Sequence, residues 1–216
     1  MRRRHRGFGL VEAMLALAIG LMLLTAASRI FVSAHQSWRL QGAALLMQAD
    51  ARLVLLRIAQ DIRMAGMFGC LRLKPGDFKD SASRAAFAQP LQVRSTNLTL
   101  TVAELPGYAG APEWTLQTDC IRDVLVGENL DKSTDRLLSY AVSRHIYRLS
   151  GTTLSFKRGK DNFQPLIDHV RELRFEHVQT LEGGRVDIAL TLYEPTLEIE
   201  QHYDLSVAVR NPQAQP

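Results

Sequence analysis

The chain has 216 residues and a formal net charge of +4 at neutral pH. Arg2, Arg3, Arg4 and Arg6 account for the whole excess, because without them the 26 lysines and arginines fall level with the 22 acids. A neutral remainder argues against a dedicated DNA or RNA binder, which carries its excess charge on the folded surface, and the length suits one anchor segment plus one globular domain.

The first seven residues are basic and contain no acid. An apolar stretch follows from Phe8 to about Ala27, broken by a single charge, Glu12. About 20 residues at 1.5 Å each match a hydrocarbon core about 30 Å thick. Arginines before the span place the basic end in the cytoplasm and the rest of the chain outside the inner membrane. A carboxylate in a membrane helix costs on the order of 3 kcal/mol, depending on depth, so Glu12 either lies near the interface, where the cost is small, or has a partner. An ordinary secretory signal is the competing reading, with Ala16-Leu17-Ala18 or Thr25-Ala26-Ala27 as its cleavage site. Against it stand the charge at Glu12 and a helical pattern that runs on past Ala27.

No proline occurs before Pro75, and nothing forces a break from Ala13 to about Ala65. Gly20 and Gly42 each weaken the helix by about 1 kcal/mol relative to alanine. Beyond the apolar span, Phe31, Trp38, Leu45, Ala49, Leu53 and Leu56 recur at helical spacings and are expected to bury against a sheet. Arg57 and Asp61, spaced i,i+4, are expected to pair weakly on the surface. The helix should end at Gly66–Gly69. About 55 residues of helix would be about 80 Å long.

Leu91 to Arg94 and Asn97 to Val102 predict short strands around a turn, inside a weakly patterned region spanning 71–136. From there the strand signal strengthens: Leu137 to Val142, His145 to Leu149, a Ser150-Gly151 turn, then Thr152 to Phe156. Val170 to Val178, Val186 to Tyr193 and Tyr203 to Val209 follow, and their alternation implies antiparallel sheet with one buried face. The polar run 211–216 is expected to fray. The fold class is therefore α+β: a long N-terminal helix packed on a C-terminal antiparallel β domain. Its divisions are a basic leader 1–7, a membrane-spanning or filament-core helix 8–28, an amphipathic extension 29–66 and a β domain 67–216.

Cys70 and Cys120 lack zinc-ligand spacing. In an oxidising compartment one disulfide between them is the simplest reading, with two buried free thiols as the alternative. No catalytic motif of the metalloprotease, P-loop or serine-hydrolase kind is present. The six histidines are scattered, and His169 with His177 share strand parity as a surface pair. No metal, no cofactor and no enzymatic activity are expected.

Gly7-Phe8 followed by Glu12 has the form G-F-x-x-x-E. After a basic leader and before an apolar helix, it resembles the type IV prepilin signal. The resemblance implies cleavage between Gly7 and Phe8 by a prepilin peptidase, and N-methylation of Phe8. It also implies a contact in assembly between Glu12 and a neighbour's N-terminus. The segment Arg57 to Cys70 and the ending Asp204 to Asn211 resemble the PilW branch of minor pilins. That likeness implies an inner-membrane subunit with a periplasmic domain, which primes a type IV pilus with other minor pilins and the major pilin. It also implies a place at the pilus tip or base, while the neutral charge outside the leader leads to no expected direct contact with nucleic acid. A J-type minor pseudopilin of type II secretion is the alternative. A single-span binding protein or hydrolase carrying the motif by chance is a third reading.

Overall fold

The computed structural model describes residues 9–70, 73–104, 110–128, 130, 137–180 and 183–211. One uninterrupted helix, α1 (Leu10–Met64), opens it. The chain divides into two compact units, Met1–Leu46 and Met47–Pro216, so the division falls inside α1.

In the second unit α1 contributes Met47, Ala51, Val54, Leu55, Ile58, Ala59 and Ile62 to a single hydrophobic core. This corrects the expected buried stripe. Leu53 and Leu56 stand 68% and 53% exposed, and Leu45 and the aromatic residues before it are exposed too. The reason is that this helix is apolar on more than one face, so spacing alone cannot select which face is covered. The sheets take the face on which Ala51 and Ala59 let the backbone approach closely. Asp61 is also on that inward face, not paired at the surface.

The helix ends where expected. Gly66 has φ +75° and Gly69 φ +91°, a left-handed region that glycine enters without strain. The amide of Gly66 donates to the Thr101 carbonyl at 3.2 Å. Asn211 reaches back across the chain, its Nδ2 donating to the carbonyls of Ala65 at 3.1 Å and Arg63 at 3.4 Å. Asn211 is therefore tied down rather than frayed, while 212–216 lie outside the described residues.

After a single 3-10 turn (Pro75–Asp77), the short helix α2 (Ser81–Ala88) is capped by Asp80, whose Oδ1 accepts from the Ser83 amide at 2.6 Å. Seven strands then form one antiparallel sheet: β1 (Leu91–Arg94), β2 (Asn97–Ala103), β3 (Trp114–Thr118), β4 (Val124–Gly127), β5 (Leu138–Ser150), β6 (Thr153–Arg158) and β7 (Gln164–Ile167). Three more, β8 (Val170–Thr180), β9 (Gly183–Glu194) and β10 (Ile199–Ala208), form a second antiparallel sheet in the order β10-β9-β8.

The strand β5 is the hub of the first sheet. One edge pairs β2 from Val142 to Arg148. The other edge pairs β3 from Leu138 to Val142 and then β6 from His145 to Ser150. The two strand-like runs read on either side of Ser143-Arg144 are thus one strand that changes partner there. Glu113, just before β3, fills the fork: its amide donates to Ser143 Oγ at 2.9 Å, and its carboxylate accepts from Arg144.

The main core joins both sheets to α1 through Leu98, Leu100, Tyr147, Phe156, Ile188 and Leu190, among others. A second core gathers Phe87, Trp114, Leu116, Val126 and Val142. In it Phe87 lies 4.3 Å from Phe68 and meets Trp114 edge-on at 5.8 Å.

Candidate functional site

Of the residues singled out from the sequence, Gly7 and Phe8 lie outside the described residues. Glu12 sits in the first turn of α1, with its side chain exposed. A carboxylate there is favoured by the helix dipole. Its amide donates to the Gly9 carbonyl at 3.0 Å. Every residue from Leu10 to Leu40 is exposed, and an 18-residue window of this segment has a mean hydropathy of 2.2 with none of it buried. The Thr25 hydroxyl is satisfied within the helix, donating to the Met22 carbonyl at 2.8 Å. Exposed apolar side chains on this scale favour a non-aqueous neighbour.

Residues 2–28 match the family model of the prokaryotic N-terminal methylation motif. No curated protein and no solved structure matches the chain. The motif supports a type IV pilin-like protein, processed by a prepilin peptidase and assembled with pilin partners. With the exposed apolar helix, it also supports membrane anchoring.

Cys70 and Cys120 are joined in a disulfide, with their Cα atoms 5.5 Å apart. The bond ties the segment after α1 to the β3–β4 hairpin. The hairpin loop is held by Asp119, whose Oδ1 accepts from the amides of Ile121, Arg122 and Asp123 at 2.8–2.9 Å. Those backbone donors, Arg122 first, hold the Asp119 carboxyl below its usual range.

Under α1 lies a polar cluster that the sequence reading did not identify. The Oδ2 of Asp61 accepts from the Tyr147 hydroxyl at 2.6 Å and meets Nδ1 of His145 at 2.6 Å. All three side chains are buried. Phe156 closes the cluster, edge-on to His145 at 5.0 Å and with the Arg57 guanidinium 4.0 Å above its ring. Beside it is a small cavity of about 70 Å³ lined by Arg57, Gln60, Asp61, Met64, Glu104 and His145. A signal existed: Asp61 interrupts an apolar helical face, and His145 and Tyr147 share strand parity. Burial on its own raises the Glu104 carboxyl, but hydrogen bonds from Arg158 and Ser143 bring it below its ordinary value.

Among the described residues no group of three His, Cys, Asp or Glu side chains could hold a metal ion. His169 and His177 form no site together: His169 lies 3.2 Å from Glu194, and His177 meets Gln179 at 3.2 Å. Glu200 on β10 pairs with Arg171 on β8 and with His202 on its own strand. An open groove of about 420 Å³ runs past Met47, Asp50, Leu166, Ile167, Asp168 and His169.

Proposed function

We propose that the chain is a minor pilin of the PilW type, an assembly subunit and not an enzyme. It enters a small complex with other minor pilins and the major pilin, primes polymerisation of a type IV pilus and stands at its tip or base. The observation that carries this reading is Glu12 at the head of an exposed apolar helix within the methylation motif. A carboxylate inside the hydrocarbon is stable only with a positive partner. The methylated amine of a neighbouring subunit is a partner of the right charge and depth. Within the second unit, buried polar groups such as Asp61 with Tyr147 and Glu104 with Arg158 form internal pairs.

The experiment is mass spectrometry of the mature chain from membranes containing prepilin peptidase, followed by pilus counts for Glu12→Ala. A start at N-methylated Phe8 is expected, with Glu12→Ala inserting normally but failing to incorporate. A chain that still carries Met1, or that starts near Ser28, removes the reading; normal piliation by Glu12→Ala removes the role of Glu12. Because the motif is shared with J-type minor pseudopilins, the deletion strain is scored for twitching and for secretion. Loss of secretion alone would assign the chain to the type II system.

A further inference from the structure

We propose that the outer face of the first sheet binds an acidic polysaccharide, one whose carboxylates are spaced along a chain of neutral sugars. Among the lysines and arginines on strands, Arg144, Arg158, Arg171, Arg174 and Arg185 each pair with a carboxylate. The others are Arg94, Arg148 and Lys157, which pair with none among the described residues. The strand register puts all three on one face. Arg94 stands opposite Asn97, Asn97 opposite Arg148, and Arg148 opposite Ser155, a single rung across β1, β2, β5 and β6. Lys157 is on the next rung, opposite Ile146. The other face of the same strands carries Leu98, Tyr147 and Phe156 into the core. Arg94 and Arg148 are exposed to solvent.

No acid interrupts these rungs, whose remaining members include Gln92, Thr99, Ile146 and Ser155. The carboxylates at the borders are engaged. Glu113 accepts from Arg144 on one side, and Asp168 accepts from the Thr153 hydroxyl at 2.6 Å on the other. Outside the leader the formal charges sum to zero, so the surplus on this face is a segregation of charge that composition conceals.

Arg148 is also aimed. Its guanidinium carbon lies 4.0 Å from the centroid of the Phe163 ring, and Lys157 Nζ lies 5.8 Å from the same centroid. The stack restrains the guanidinium plane without using its in-plane N–H donors. Those donors match the two oxygens of a carboxylate side by side.

Spacing and chemistry choose the ligand. Two strand spacings put Arg94 and Arg148 about 10 Å apart across the sheet. The charges are few, and amide and hydroxyl side chains separate them. A chain of sugars with intermittent carboxylates supplies anions at intervals and hydroxyls that both donate and accept between them. Single-stranded nucleic acid asks for an aromatic ring open to stacking bases, whereas Phe163 is already taken by Arg148 and Lys157. An extended acidic peptide pairs along a sheet edge through its backbone, whereas these charges run across four strands.

The test uses the full-length chain in nanodiscs of zwitterionic lipid. The probe is an oligosaccharide of alternating glucuronate and N-acetylglucosamine, titrated at low salt. Saturable binding is expected, and it should vanish when the carboxylates are reduced to alcohols. Arg94→Ala and Arg148→Ala should each weaken binding by about tenfold. Arg185→Ala, on the second sheet, should bind as the wild type does. Phe163→Leu keeps every charge, so diffuse attraction would leave its affinity unchanged, whereas an aimed guanidinium predicts a several-fold loss. Arg94 makes no hydrogen bond or ion pair among the described residues, so Arg94→Ala carries the test should Arg148→Ala fail to fold. Absence of binding overturns the proposal, as does wild-type affinity in Arg94→Ala or in Phe163→Leu. Tighter binding of a single-stranded oligodeoxynucleotide, or of polyglutamate of equal charge, overturns it too.

Discussion

Tyr147 on β5 donates its phenolic proton to Asp61 on α1 across 2.6 Å, and this contact fixes the helix to the first sheet from inside the core. Asp61→Ala would leave His145 and Tyr147 buried without their acceptor. Taking the acceptor away from buried polar groups costs about 1–3 kcal/mol. Urea unfolding of the full chain in detergent should show a loss of that order, with Tyr147→Phe losing about 1 kcal/mol.

The same contact sets a dependence on alkaline pH. Burial raises the Tyr147 phenol far above its ordinary value, and the Asp61 carboxylate adds to the rise. The folded state therefore holds the proton more tightly than the unfolded one. Its contribution is fully present below the unfolded value, about 10, and is lost as the pH climbs above it. Unfolding midpoints measured from pH 8 upward should fall beyond about pH 10, and Tyr147→Phe should flatten that limb.

Glu104 works in the opposite sense. Burial opposes its charge, but Arg158 and Ser143 overcome that and hold the carboxyl below its usual range. The stability it gives is present above the unfolded value, about 4.3, and is lost as the pH falls through the folded one. Glu104→Gln should lower the midpoint at neutral pH and shrink the acid-induced decline in an unfolding series from pH 7 to pH 3.

The disulfide constrains the unfolded chain over a separation of 50 residues. In the chain-entropy model a loop of that size is worth about 4 kcal/mol. The double variant Cys70→Ser with Cys120→Ser should lose stability on that scale. Reductant should bring the wild type down to the same level and leave the double variant unmoved.

The helix end gives a paired test. A side chain at Gly66 would enter φ +75° and meet the Asn211 carbonyl at 3.1 Å. Gly66→Ala should cost more than 1 kcal/mol, the scale set by left-handed backbone alone. Asn211→Ala should cost about 1 kcal/mol through two lost bonds to helix carbonyls. Hydrogen exchange at Ala65 and Gly66 should rise in both.

The sequence carried the elements that repeat a pattern. The long helix, its glycine stop and the alternation of Val186, Ile188, Leu190 and Leu192 were all legible, because period and punctuation specify them. The strand β3 was not: Trp114-Thr115-Leu116-Gln117 alternates, but the run is only five residues long inside a weakly patterned region, and burial of both its faces, Gln117 and Thr118 included, comes from the fold. The helix α2 is short and rich in alanine, and little distinguishes it from a loop until Phe87 finds Trp114. The buried face of α1 was misread because Leu53 and Leu56 are as apolar as Val54 and Leu55, and only the sheets decide between them. At the candidate site the anchor was plain from one charge in an apolar run. The Asp61 cluster draws its members from positions more than 80 residues apart, and no local pattern joins them.

The clasp of Asn211 on Ala65 spans 146 residues of chain. A ribosome delivers α1 first and the residue that closes its end only after both sheets have been made. Until then the last carbonyls of the helix lack that partner, and the core face of Met47–Ile62 waits for strands still to be synthesised. The second unit is therefore completed after translation has passed Asn211 rather than in step with it. A nascent chain held by its N-terminal helix would wait, unfinished, on whichever side of the membrane its later residues emerge.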